Sequence, residues 1–293
     1  MEAAGLVIPT GEPGLVGRTR VLQAIVDGIV ALAREQGAPD KAEPMMFPPG
    51  MPRAHLERSG YLKSFPNLAG TVHCFCGDDR AHRKLLACLD AEEDWTGQQE
   101  ISGSAITPAV CYPVYPAIAA RGPLPPGGVI VSTRGYCFRH EPSPEPTRLQ
   151  WFELFEHITL GTRDDVIAFR TAWMARGQAV ATALQLPHQL EVANDPFFGR
   201  AGAIMSDAQR QQELKFELVV PVNPGLKPTA CMSFNYHITH FGDTWGIRTA
   251  DGAVAQTACV GFGLDRLAFA LLHTHGLDVA AWPAGVRAAL RLP

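Results

Sequence analysis

Residues 136–156, YCFRHEPSPEPTRLQWFELFE, limit what this chain can fold into more than any other part of it. An apolar run (129–132, then 136–138) ends at Arg139 and Glu141, two residues apart. A polar, proline-rich loop follows, and an alternating segment then carries Phe152 and Glu156. This pattern predicts two antiparallel strands, 129–141 and 149–160, joined by an irregular loop. Residues two apart on a strand share a face, so Arg139 and Glu141 are expected to project side by side. A guanidinium can grip a phosphate with two parallel donors, and a nearby carboxylate can accept from an amino group.

The rest of the chain supplies elements to pack around that pair. Residues 14–36 carry Leu15, Val16, Val21, Leu22, Ile25, Ile29, Val30 and Leu32 at helical spacing, with Gly37 and Pro39 as the stop. A connector rich in proline (Pro44, Pro48, Pro49, Pro52) leads to a strand at 68–75, and Asp78 or Asp79 caps a helix to about Glu93. Thr162 to Asp165 forms a capping box for a helix to about Leu186, with Val166, Phe169, Trp173, Val180 and Leu184 as its buried stripe. Further strands are expected at 189–193, 213–222, 229–236 and 253–260, and a last helix runs from Gly261 to about His273. Strands in runs, with flanking helices and no regular βαβ alternation, predict an α+β fold, an antiparallel β-sheet flanked by helices. Residues 1–293 are read as a single domain.

Composition narrows the function classes. Hydrophobic residues make up 46% and charged residues 18% of the 293, an ordinary balance for a globular protein with a sizeable core. No apolar run is long enough to span a bilayer, and the start, MEAAGLVIPTGEPG, lacks a basic segment followed by an apolar one. A cytoplasmic location with no membrane contact is expected. The seven cysteines are scattered and odd in number, which favours reduced thiols or metal ligands over a disulfide framework. Lys and Arg number 25 against 29 acidic residues, net charge −4, without a basic block, which weighs against a nucleic-acid partner.

A second anchor is Gly261-Phe-Gly-Leu-Asp-Arg266, where glycines permit close backbone approach and a helix N-terminus favours anions. Together the two segments resemble motifs 2 and 3 of class II aminoacyl-tRNA synthetases, which embrace ATP. The matching positions are Arg139, Glu141, Arg148 and Phe152 in motif 2 and Arg266 in motif 3. Cys111, Glu156 and Cys259 would supply two thiolates and a carboxylate, a Zn²⁺ site with one open position. Archaeal-type seryl-tRNA synthetases hold zinc with such a set, and so do their relatives, the amino acid:carrier protein ligases. CFRHEPSPEPTRLQ, NDPFFGRAG, LKFELVVPV, TACMSFNYHITHFG and ACVGFGLDRLAFALL resemble the second group, over about residues 14–272.

The resemblance implies a class II synthetase-like catalytic domain without a tRNA-binding arm. It implies an enzyme that activates a small amino acid, glycine or alanine, with ATP to an aminoacyl-adenylate. The aminoacyl group then passes to the phosphopantetheine thiol of a carrier protein. Arg139, Glu141, Arg148, Leu149 and Arg266 would bind ATP, with Ala230, Cys231 and Met232 near the nucleotide and Phe152 stacked on adenine. Arg139 and Arg266 would be the catalytic pair. Cys111, Glu156 and Cys259 would hold one Zn²⁺ per subunit, and Glu156, Asn235 and His237 would meet the amino acid. Mg²⁺ would accompany ATP; the synthetases' Mg²⁺-binding glutamate falls on Thr229 here, leaving Glu217 as the carboxylate nearby. Residues 56–75, with Glu57, Gly60 and Pro66, resemble motif 1 and imply a homodimer. The alternatives are a minimal seryl-type tRNA synthetase and a non-catalytic paralogue.

Plainer readings stand beside these. Cys111 or Cys259 alone reads as a small buried hydrophobe. Cys74 and Cys76 lack zinc-finger spacing and read as core or surface thiols, while Cys88, Cys137 and Cys231 read as packing. His237 and His240 suit pocket lining, and Glu145 suits a solvated pair with Arg148. Arg80, Arg83 and Lys84 are candidates for meeting an acidic carrier protein.

Overall fold

A computed structural model describes residues 1–143, 145–199, 206, 209–223 and 225–293. β1 (Val7–Pro9) and β2 (Val16–Arg18) form a small hairpin. β3 (Glu43–Met45) starts the main sheet, whereas β4 (Gly50–Pro52), β5 (Thr71–Cys74) and β6 (Glu100–Ile106) make a separate three-stranded sheet. The remaining strands are β7 (Val129–Phe138), β8 (Trp151–Gly161), β9 (Gln189–Val192), β10 (Lys215–Val220), β11 (Thr229–Tyr236) and β12 (Gln256–Gly263). The main sheet runs β3-β7-β8-β12-β11-β10-β9 and is antiparallel except for β3 on β7.

Strand alternation divides the core. On β8, Phe155 and His157 point to one side, where the helices Arg20–Gln36, Arg163–Ala183 and Leu264–His275 pack. Trp173 is fully buried there, 4.5 Å from the His157 ring. Thr162 and Asp165 bond reciprocally at the start of the second of these helices, the expected capping box. On the other side Ile158 and Cys259 pack with Cys111, Tyr115 and Phe241. This second side is the one that carries the site.

Several boundaries depart from the sequence pattern, for physical reasons. The first helix begins at Arg20, because Val16–Arg18 pairs with the preceding strand, and Val21 stays 45% exposed. Periodicity cannot register such a pairing. The strand expected at 68–75 is a short turn at Pro66–Leu68 followed by β5, and the helix capped by Asp78 is Asp79–Asp90. β7 ends at Phe138, so Arg139 and Glu141 do not share a strand face. Arg139 N–H still donates to Gln150 O at 2.9 Å, but Glu141 N–H turns back to Arg139 O at 2.8 Å. Gly261 and Gly263 remain in β12, opposite Glu156 and Leu154, and the last helix opens only at Leu264. In the segment NDPFFGRAG, residues 200–202 lie outside the described residues. No helix among the described residues is long and apolar enough to cross a membrane.

Candidate active site

A cavity of about 260 Å³ opens over β8, β12, β11 and β10, on the face away from the three long helices. The ladder registers set out its floor. One transverse row reads Glu217, Ser233, Gly261, Glu156, and the next reads Lys215, Asn235, Cys259, Ile158. Glu156 and Cys259 are therefore diagonal neighbours on adjacent strands. Cys111 comes to meet them from the turn that precedes the helix Val114–Ala119.

The Cys111 and Cys259 sulfurs and a Glu156 oxygen lie within 4.8 Å of one another, and all three residues are buried. Among the described residues Glu156 Oε2 has no hydrogen-bond partner. Burial, then the Cys259 charge, pushes the Glu156 carboxyl well above its ordinary range. Cys259 is held well below the usual thiol range because it accepts from Cys111, with His237 and Asn235 adding to the effect, while Cys111 is pushed up. Asn235 Nδ2 lies 3.4 Å and His237 Nε2 3.7 Å from the Cys259 sulfur, and His237 Nδ1 lies 3.0 Å from Thr257 Oγ1. An orphaned buried oxygen beside two sulfurs, one of them supported as a thiolate, suits a soft or borderline divalent metal.

Two arginines reach the cavity from distant parts of the sequence, Arg139 after β7 and Arg266 after β12. Arg139 Nε donates to Pro108 O at 3.0 Å, and its guanidinium lies 5.3 Å from the centre of the Phe152 ring. Arg266 donates to Thr147 O at 3.2 Å and to Ala230 O at 3.0 Å. These bonds go to carbonyls, and among the described residues neither guanidinium has a carboxylate ion-pair partner. Burial pushes Arg266 below its ordinary value. A half-buried cation without a carboxylate partner among the described residues favours an anionic ligand.

The other expected residues fall into two groups. Glu141, Leu149, Phe152, Ala230, Cys231, Met232, Asn235 and His237 all border the cavity. Arg148 does not; it is half exposed and pairs with Glu141 at 2.9 Å and Glu145 at 3.1 Å. Glu145 also accepts from Thr147 and Asn223, so it anchors the loop between β7 and β8. Glu217 borders the cavity, whereas Thr229 is buried outside it. The Cys231 thiol is pushed up to about 12 by burial and packs as a neutral group. Cys74 and Cys76 are exposed, Cys88 is half-buried and Cys137 is buried.

Two pairings had no sequence signal, although Asp265, Asp195 and Lys215 stand in segments already singled out. Arg18 bridges Asp265 at 2.7 Å and Glu153 at 2.5 Å beneath the sheet, and Asp265 also accepts from Glu153 N–H at 2.8 Å. Asp195 pairs with Lys215 at 2.5 Å at the cavity's far side.

No protein-family model matches the chain. It is 50% identical to amino acid–(acyl-carrier-protein) ligase 1 of Bradyrhizobium diazoefficiens, over 96% of this chain and 86% of the relative. It is 49% identical to ligase 2 of the same organism, over 96% and 84%. The chain belongs to the amino acid–(acyl-carrier-protein) ligase family. Its fold is that of class II synthetase catalytic domains: M. kandleri SerRS, solved in complex with A. aeolicus tRNASec, superposes with a TM-score of 0.80 at 20% identity. That match covers 98% of this ligase-family chain and 58% of the synthetase.

Proposed function

We propose that this ligase activates glycine or alanine with ATP and loads it onto the phosphopantetheine thiol of a carrier protein. The observation that carries this reading is one cavity that joins the Cys111/Glu156/Cys259 group to two half-buried arginines that lack carboxylate ion-pair partners among the described residues. In the first step an amino-acid carboxylate oxygen bonds to the α-phosphorus of ATP, and the bond to the bridging oxygen breaks, releasing pyrophosphate. Two anions meet there. Arg139 and Arg266 offset that repulsion and stabilise the charge that develops, so positioning and electrostatics carry the catalysis.

In the second step the carrier's thiol sulfur bonds to the acyl carbon. The bond from that carbon to the AMP oxygen breaks, and AMP leaves with the electron pair. The reaction needs no protein nucleophile. Glu141 is suited to accept from the adenine amino group, and Arg148, paired with it, to close the β7–β8 loop over the nucleotide. Phe152 offers a ring face for adenine beside Arg139. A Zn²⁺ ion held by Cys111, Glu156 and Cys259 would supply a coordination position for the substrate's amino group and so select amino acids. Mg²⁺ would accompany ATP, with Glu217 as the candidate carboxylate.

The carrier is assigned to the helix Asp79–Asp90, which buries none of its residues and exposes Arg80, Arg83 and Lys84. Segment 56–75 is assigned to a homodimer contact, and no tRNA is assigned as a partner. ATP–pyrophosphate exchange on zinc-replete protein, run across the twenty amino acids, tests the first step. Exchange with glycine or alanine supports activation, and transfer to a carrier protein rather than tRNA completes the reading. Absence of exchange with every amino acid would sink it.

A further inference from the structure

We infer that Lys215 and Asp195 form the wall that limits the size of the substrate's side chain. The inference rests on the amino-acid activation proposed above and names the residues that set its specificity. Lys215 Nζ is held between Asp195 Oδ1 at 2.5 Å and Glu217 Oε1 at 3.0 Å, with its side chain only 11% exposed. The other Asp195 oxygen accepts from Gln209 Nε2 at 2.8 Å, and Asp195 N–H donates to Gln209 Oε1 at 2.6 Å. Both groups are thus fixed from two directions.

Their place follows from the sheet. An amino group at the Cys111/Glu156/Cys259 site and a carboxylate directed to Arg139 leave one direction for the α-substituent. That direction crosses Gly261, which has no side chain, towards Ser233 on β11. The next strand is β10, where Lys215 and Glu217 stand beside Asn235 and Ser233. Strands are spaced about 4.8 Å apart, so the Lys215 backbone lies roughly 10 Å from that of Cys259, two strands away. Gly261 puts no side chain of its own into that interval. A longer apolar substituent would press on the ion pair and strip its solvation and hydrogen bonds without replacing them.

The experiment compares ATP–pyrophosphate exchange with glycine, alanine, 2-aminobutyrate and valine for the wild type, Lys215→Ala and Asp195→Ala. Asp195→Ala leaves Lys215 paired with Glu217 and is the variant chosen to keep the fold; thermal melting checks both. Opening the wall should raise kcat/KM for 2-aminobutyrate relative to alanine by about tenfold or more, the scale of one methylene in a pocket. If Lys215→Ala does not fold, the ratio in Asp195→Ala decides alone. An unchanged ratio in the folded variants overturns the inference while leaving the activation reading intact. Loss of exchange with all four amino acids at unchanged melting temperature also overturns it, since the pair would then serve the chemistry. A wild type that exchanges with no amino acid removes both readings.

Discussion

Gly261 faces Glu156 directly across the β8–β12 pairing, with Ser233 on its other flank. A Cβ at this position would come 3.2 Å from Ser233 Oγ and 3.7 Å from Glu156 Cγ. The first contact is tighter than an ordinary one, so Ser233 has to give by a few tenths of an ångström, and the added methyl narrows the floor of the cavity. Gly261→Ala should therefore lower kcat/KM for alanine relative to glycine by about tenfold or more. Equal losses for the two amino acids in pyrophosphate exchange would show that Gly261 does not border the substituent.

The metal group predicts a change that can be read without activity. Elemental analysis should give about one zinc per chain in the wild type and almost none in Cys111→Ala or Cys259→Ala. A metal bound only to the folded state adds about 2.7 kcal/mol at a hundred times its Kd. A chelator should accordingly lower the wild-type melting temperature and leave the two variants where they are.

Arg266 should separate activity from stability. Arg266→Met removes a half-buried cation whose hydrogen bonds go to Thr147 and Ala230 carbonyls. Losing one preorganised charge contact should reduce kcat/KM for ATP by about 10²- to 10³-fold. Stability should hold or rise, because no carboxylate is stranded. A large fall in melting temperature would show that the arginine serves the fold first.

Arg18 should behave in the opposite way. Its side chain is 5% exposed and joins Glu153 and Asp265, themselves 8% and 6% exposed. Arg18→Leu strands the buried Asp265 carboxylate, while Glu153 keeps Arg134 at 2.6 Å, and should cost about 3–5 kcal/mol in urea denaturation. Arg18→Lys should recover part of that loss. Wild-type stability in the leucine variant would show that the network is not held by its charge.

His157 should make the fold sensitive to acid. Both ring nitrogens are buried without partners among the described residues, and burial, chiefly, pushes the ring down to about 4 from 6.5. The folded state holds the ring neutral while the unfolded chain takes up a proton below 6.5. This contribution is fully present above 6.5 and is lost as pH falls through 4. A tenfold change in proton affinity is worth about 1.4 kcal/mol, so the interval from 6.5 down to about 4 holds roughly 3 kcal/mol. Denaturation of metal-free wild type and His157→Leu between pH 7 and 4 should give a shallower decline in the variant; parallel curves would assign the acid sensitivity elsewhere.

Sequence periodicity reports local order, and it located the elements where local order decides. The β7–β8 pair, the Thr162 capping box and the buried stripe from Val166 to Leu184 all lie where alternation or helical spacing puts them. It misplaced boundaries where a distant strand intervenes. Val16 left a helical pattern for a hairpin, and Gly261 and Gly263, suited by composition to a turn, stay extended because β8 and β11 bond to them.

The sequence by itself determined which chemical groups this chain has to offer: Arg139, Glu141, Phe152 and Arg266 in two recognisable segments, and the set Cys111, Glu156 and Cys259. Tertiary structure alone decided which of them meet. Arg148 turned to Glu141 outside the cavity, Arg18 met Asp265 across 247 positions, and Lys215 was placed two strands from Cys259. The reason is that sheet register and ion pairing act between residues far apart in the chain, where no spacing along the sequence records the distance in space.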